Sequence, residues 1–230
     1  MRKFLTAFGI FVAGLSFGQT TDAEFWVGAG VSADLNKKIN LSYETQGRFY
    51  KNASTLKTYY NELGGSYKLS KAFNVGLAYR FSRRNQETYF ISNNRLCLNV
   101  EYAKKLGDSG LKLKLRGRYQ FGFDRLNTET YSEDFRNLLR LKLDLKYEFK
   151  DFKRVIPVAG AELFKRINAP ISYGPLSAYR FYAGFNFDLP ARHSVSVRYL
   201  FEYENNAVQN NTHNYVIMYN YDLPSFKKKK

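Results

Sequence analysis

The densest chemistry in this 230-residue chain is a series of cations at every second position. Lys112, Lys114, Arg116 and Arg118 alternate with Leu111, Leu113, Leu115 and Gly117. A second set, Arg136, Arg140, Lys142 and Lys146, keeps one parity, while Leu139, Leu141, Leu143 and Leu145 take the other. Residues two apart on an extended chain point the same way, so each set forms a single charged face. If the two segments are neighbours, eight cations share a surface with only Asp144 and Glu148. Such a surface lining a lumen favours anions. Unpaired buried cations are costly, however, so carboxylates from other segments are expected to pair with them. Glu101 and Glu162 on flanking segments, with Glu44, Glu62, Glu202 and Glu204, are the available counter-ions. Structural pairing is the expected state, and an anion path is the alternative.

The remaining reactive groups make no catalytic set. His193 falls in a predicted turn and His213 in a predicted loop, at opposite ends of the strands. Ser194 adjoins His193 but points elsewhere on an alternating chain, whereas a serine–histidine hydrolase needs both groups within hydrogen-bond reach. Two separated histidines and one cysteine match no metal-ligand spacing. Cys97, the sole cysteine, excludes an intrachain disulfide and suits a small interior filler. The glycines form no phosphate-cradling loop. The expectation is therefore a non-enzymatic protein with no cofactor; a barrel-embedded lipid hydrolase using His213 is the alternative.

The elements that carry these residues alternate with period two almost throughout. Eleven segments do so: 24–34, 38–50, 56–69, 73–83, 93–105, 111–123, 134–149, 155–166, 178–188, 193–204 and 214–223. In each, Leu, Val, Phe and Tyr occupy one parity and nearly all charges the other; Lys104 and Lys165, near segment ends, are exceptions. Most of the segments are long enough to cross a bilayer when tilted, which takes about 9–11 residues. Short joins alternate with longer polar ones, the pattern of turns at one rim and loops at the other. Phe and Tyr crowd the ends of the apolar faces, as at Phe49, Tyr59, Phe73, Tyr102, Phe123, Phe149, Tyr179, Phe187, Tyr203 and Tyr221, where aromatic girdles meet lipid headgroups. The predicted class is all-β: an antiparallel up-and-down transmembrane β-barrel of about 10–12 strands. Bacterial single-chain barrels have even strand numbers. Ten or twelve is thus expected, with one of the eleven segments mispaired or another missed. A secreted soluble β-domain that binds a ligand is the competing architecture.

Composition is consistent with a membrane barrel and narrows the partners. The formal net charge is +16; without Arg2, Lys3 and the four terminal lysines it is +10. Twenty Phe and nineteen Tyr accompany one Trp. A mean hydropathy of −0.46 does not exclude a barrel, whose strands place polar groups at every second position. Basic and aromatic residues lie on opposite faces, whereas single-strand nucleic-acid binders present both on one surface, so no nucleic-acid partner is expected.

Residues 1–18 carry a positive start at Arg2 and Lys3, an apolar core from Phe4 to Leu15, and small residues Ser16 and Gly18. This is the form of a cleavable signal peptide, with cleavage before Gln19. The expected organisation is signal peptide 1–18, outer-membrane barrel 19–226 and basic tail 227–230. Outer-membrane lipid and the barrel-assembly machinery of a Gram-negative cell are the expected partners, and small anionic solutes the candidate permeants.

The segments EFWVGAG (24–30), KKINLSYETQGRFY (37–50) and YYNELGGSYKLSKAFNVGLAYRF (59–81) resemble the start of a family of outer-membrane barrels named domain of unknown function 2490. The shared pattern is a Trp-bearing first strand, a Leu-Asn-Lys-Lys turn, an LSYE…RF strand, and then a YY…SYKLSK…YR hairpin. The resemblance implies architecture and location and supplies no catalytic residues. One departure is the C-terminus, where four lysines follow Phe226 instead of a terminal aromatic.

Overall fold

A computed structural model describes residues 23–123, 137–152, 154–167, 176–205 and 210–225. The predicted signal peptide, the basic tail and Arg136 lie outside these residues. Eleven strands run β1 (Ala23–Asp34), β2 (Ile39–Tyr50), β3 (Thr55–Lys68), β4 (Phe73–Asn85), β5 (Phe90–Lys105) and β6 (Leu111–Phe123). They continue through β7 (Leu138–Tyr147), β8 (Val155–Arg166), β9 (Ala178–Asp188), β10 (His193–Glu204) and β11 (Asn210–Asp222). Each strand pairs antiparallel with its sequence neighbour, and β1 pairs with β11 to close the barrel.

Eleven strands fall within the expected 10–12 and correct only the preference for an even number. Every alternating segment forms a strand among the described residues, and the odd number is accommodated by a parallel closing pair. With eleven strands the first and last run in the same direction, so closure must be parallel. Parallel pairing is slightly weaker per residue than antiparallel. Here it extends from Ala23 opposite His213 to Ser32 opposite Asp222. Inside the seam, Trp26 packs with Val216, Leu200 and Tyr182, and Met218 lies against them. Gly28 permits this approach: a Cβ there would sit 2.7 Å from the Met218 sulfur.

Loop chemistry follows the strand ends. Gly107 and Gly110 adopt positive φ in the β5–β6 turn, where a side chain would be strained. At the β2–β3 join the register shifts between Arg48 and Phe49, leaving Lys57 as the extra residue. Such a bulge re-aims a side chain. Lys57 indeed leaves the outward-facing parity to reach Glu24 on β1.

The apolar parity faces outward. Leu63, Leu77, Leu98, Val100, Leu141 and Phe181 are all more than half exposed, while Gln120, Glu162, Arg118 and Asn214 on the other parity are buried. Aromatic pairs ring both ends of the outer surface. Phe73–Tyr102, Tyr147–Phe149, Phe185–Phe187 and His193–Tyr221 mark the short-turn end. Tyr59–Phe90, Phe121–Phe123, Tyr179–Tyr203 and Phe201–His213 mark the long-loop end. On β9 the girdles sit at Tyr179 and Phe187, about 26 Å apart along the strand at ~3.3 Å per residue. A tilt near 40° reduces this to about 20 Å, close to the ~25 Å apolar band of outer-membrane barrels.

Candidate functional site

The inward parity of eleven strands must fill a lumen whose backbone radius is about 11 Å, from ~4.8 Å strand spacing and ~40° tilt. Small side chains cannot span that width. Arginine, tyrosine and tryptophan reaching from opposite walls can, and this sequence places them on the inward parity of most strands.

Glu162 on β8 is the principal hub. Its Oε1 accepts from Arg140 Nη2 at 2.8 Å and Arg116 Nη2 at 3.1 Å, and Arg180 Nη1 lies 3.7 Å from Oε2. Arg180 also donates to Glu202 at 2.7 Å. Phe164 lies beneath two of these guanidiniums, 4.7 Å from Arg140 and 4.5 Å from Arg180. Four strands, β6 to β9, are thus tied to one carboxylate, with β10 joined through Glu202.

Glu62 on β3 is a second hub. Arg80 donates its Nε at 2.6 Å, and Arg118 donates through Nη1 at 3.3 Å and Nη2 at 3.1 Å. The Arg118 Nε is held by Asn99 at 2.6 Å. Arg80 also stacks on Tyr60 at 3.9 Å, and the Tyr60 hydroxyl bonds Glu44. Next to it, Arg48 stacks on Trp26 at 3.9 Å, and the Trp26 indole donates to Glu24 at 2.9 Å. In stacking of this kind the ring quadrupole attracts the cation and offsets part of its desolvation cost.

The predicted cationic face is therefore largely ion-paired. Arg116 and Arg140 meet at Glu162, and Arg118 meets Glu62. Lys142 pairs with Asp144 at 3.3 Å, Lys114 with Glu101 at 3.0 Å, and Lys112 with Glu148. Lys146 has no ion pair among the described residues. Arg136 lies outside them. Exposure changes along the axis: Arg118 and Arg140 side chains are 7% and 11% exposed, whereas Lys112 and Lys114 are 44% and 42%. The lumen is packed at mid-height and wetter toward the short turns.

Several members of the network were not singled out from sequence. Arg48, Arg80, Arg180 and Arg198, and the aromatics Trp26, Tyr60, Phe164 and Tyr182, all occupy inward positions. The available signal was an aromatic residue on the charged parity, the inverse of the girdle pattern.

Both histidines lie in strands at opposite ends of the outer wall, not in a turn and a loop. His193 Nδ1 is 2.5 Å from the Tyr219 hydroxyl, and His213 Nδ1 is 2.5 Å from the Tyr199 hydroxyl. Ser194 pairs with Asn220 on the other face of the strand. Cys97 is fully buried beside Gln120, whose Nε2 is 3.5 Å from the sulfur. Among the described residues no His, Cys, Asp and Glu group has the form of a metal site.

A structural comparison finds the siderophore receptor PirA from Pseudomonas aeruginosa, at 13% identity and a TM-score of 0.25. It covers 74% of this chain and 32% of the receptor, so the chain spans about a third of that protein's length. No curated protein matches the sequence. The family model described as protein of unknown function DUF2490 matches residues 23–213, from the first strand into the last. By that match, over a closed barrel with charged interior and apolar exterior, the chain belongs to the DUF2490 family.

Proposed function

We propose that the protein is an integral outer-membrane β-barrel of a Gram-negative cell, exported by the 1–18 signal peptide. Its role is structural or surface-contact, and its lumen is closed by ion pairs. The observation that carries this reading is the inverted distribution of polarity. Apolar side chains such as Leu63, Leu98 and Leu141 face out between two aromatic girdles, while carboxylates and guanidiniums face in. A water-soluble protein exposing such a continuous band would associate through it. Lipid satisfies the band, and closure leaves no sheet edge unpaired.

The mid-height network favours a closed barrel over an open channel. Glu162 and Glu62 each hold guanidiniums from separate strands, and moving these apart would strip paired charges of their partners. The excess of cations supports a second reading, passive passage of anions. The histidines bond tyrosines on the lipid-facing wall, which favours an interfacial anchoring role over hydrolysis.

Detergent extraction of outer membranes followed by electrophoresis with and without boiling tests the first reading. Heat-modifiable migration is expected; a freely soluble monomer in the periplasmic fraction overturns it. Planar-bilayer recordings separate the two roles. Silence is expected of the closed lumen, and a steady anion-selective current would establish the permeation reading.

A further inference from the structure

The short-turn half of the lumen contains a row of cations that the ion-pair network leaves incomplete. Lys105 on β5, Lys112 on β6 and Lys146 on β7 are direct cross-strand neighbours. Like charges directly opposite one another destabilise a sheet. Lys112 has Glu148, and nearby Lys114 has Glu101. The row continues from Lys146 through Val158 on β8 and Gly184 on β9 to Arg198 on β10.

Two glycines shape this region. A Cβ at Gly160 would overlap the Tyr182 ring, so the bare backbone lets Tyr182 lie across β8 and bond Asp144 on β7. Asp144 already holds Lys142. A Cβ at Gly184 would lie 2.7 Å from the Arg198 Cα and 3.0 Å from its Cγ, so the Arg198 stem occupies the space over that glycine. Its guanidinium sits 5.6 Å from the Tyr182 ring and has one long contact, 3.5 Å, to Asn186 Oδ1. Its Nε is buried without a hydrogen-bond partner among the described residues. Arg198, Lys114 and Lys112 all act electrostatically on Lys146, as does the Asp144 carboxylate. Among the described residues neither Lys146 nor Arg198 has an ion pair of its own.

We propose that Lys146 and Arg198, backed by Lys112 and Lys114, form a binding site for a phosphate-type oxyanion, entered from the short-turn mouth. A guanidinium fork and an ammonium together suit a tetrahedral oxyanion with more than one negative charge. Ser194 and Ser196 on β10 supply neutral polar surface next to Arg198 on the same face. The packed layer around Glu162 makes the site a dead end. The proposal rests on the interior geometry of the barrel and not on its membrane location.

The test uses the full chain folded in detergent micelles, titrated calorimetrically with inorganic phosphate, pyrophosphate and a short-chain phosphatidic acid at constant ionic strength. Saturable binding of pyrophosphate is expected, weakened about tenfold or more by Lys146→Gln or Arg198→Gln. Lys146→Arg is expected to retain it, and Lys71→Gln, in the β3–β4 turn, to leave it unchanged. A response to the lipid phosphate alone assigns the same site to a headgroup. Absence of saturable binding up to about 10 mM of all three probes overturns the proposal, as does equal weakening by Lys71→Gln, which signifies diffuse attraction to a basic protein. If Arg198→Gln loses heat-modifiable folding, Lys146→Gln decides alone, because that side chain has no ion pair among the described residues whose loss could unfold the barrel.

Discussion

Replacing Glu162 by Gln removes the negative charge at which Arg116, Arg140 and Arg180 converge, and its cost can be worked from the geometry. The Glu162 side chain is 5% exposed, and its three arginine nitrogens lie at 3.1, 2.8 and 3.7 Å. At an effective dielectric near 20, each such contact is worth about 4 kcal/mol of gross attraction. Most of that is offset by the desolvation of the ions, and loss of one partner from a buried pair typically costs about 3–5 kcal/mol net. Glu202 still compensates Arg180, while Arg116 and Arg140 have no other carboxylate partner among the ion pairs described. The amide oxygen of Gln retains a hydrogen-bond acceptor, so the lower end, about 3 kcal/mol, is expected. The comparison is Glu101→Gln: its partner Lys114 is 42% exposed, and such screened pairs contribute about 0–1 kcal/mol. Urea unfolding in micelles, followed by Trp26 fluorescence and extrapolated linearly, measures both. If the two variants lie within about 1 kcal/mol of each other, the view that Glu162 is a buried electrostatic hub is wrong.

Other outcomes probe orientation and closure. Leu98→Arg, at an outward position 58% exposed in mid-strand, is expected to cost about 2–4 kcal/mol in a bilayer, read by urea unfolding of the protein in vesicles. A negligible cost would place that face in water. Trp26, the only tryptophan, is 5% exposed inside the lumen, so brominated lipids should quench it weakly. A Trp26→Phe, Phe181→Trp variant should be quenched strongly, and the reverse order would invert the barrel. Gly160→Val should displace Tyr182 from Asp144 and destabilise by about 1–3 kcal/mol through overpacking, whereas Gly117→Val, with open space around its Cβ, should be tolerated; the same unfolding titration compares them.

Much of this protein was legible in its sequence because period-two alternation is a local property. The alternation over residues 111–123 and 193–204 requires no knowledge of neighbours, and each alternating segment is a strand in the structure. The aromatic girdles were equally visible, since Phe73, Tyr102, Tyr179 and Tyr203 lie at the ends of their own segments. Even the presence of counter-carboxylates followed from the cost of bare buried cations.

Which charge meets which was decided only in three dimensions. Arg118 and Glu62 are 56 residues apart, and Trp26 and Val216 are joined by a parallel seam that the even-number expectation excluded. Closure fixes both, because it sets how far each inward side chain travels along the tilted strands before it meets another. The same applies to Gly160 and Gly184, where the missing side chains matter for what crosses over them. Parity along one strand states that a residue faces the axis; only the ring of eleven strands states what it finds there.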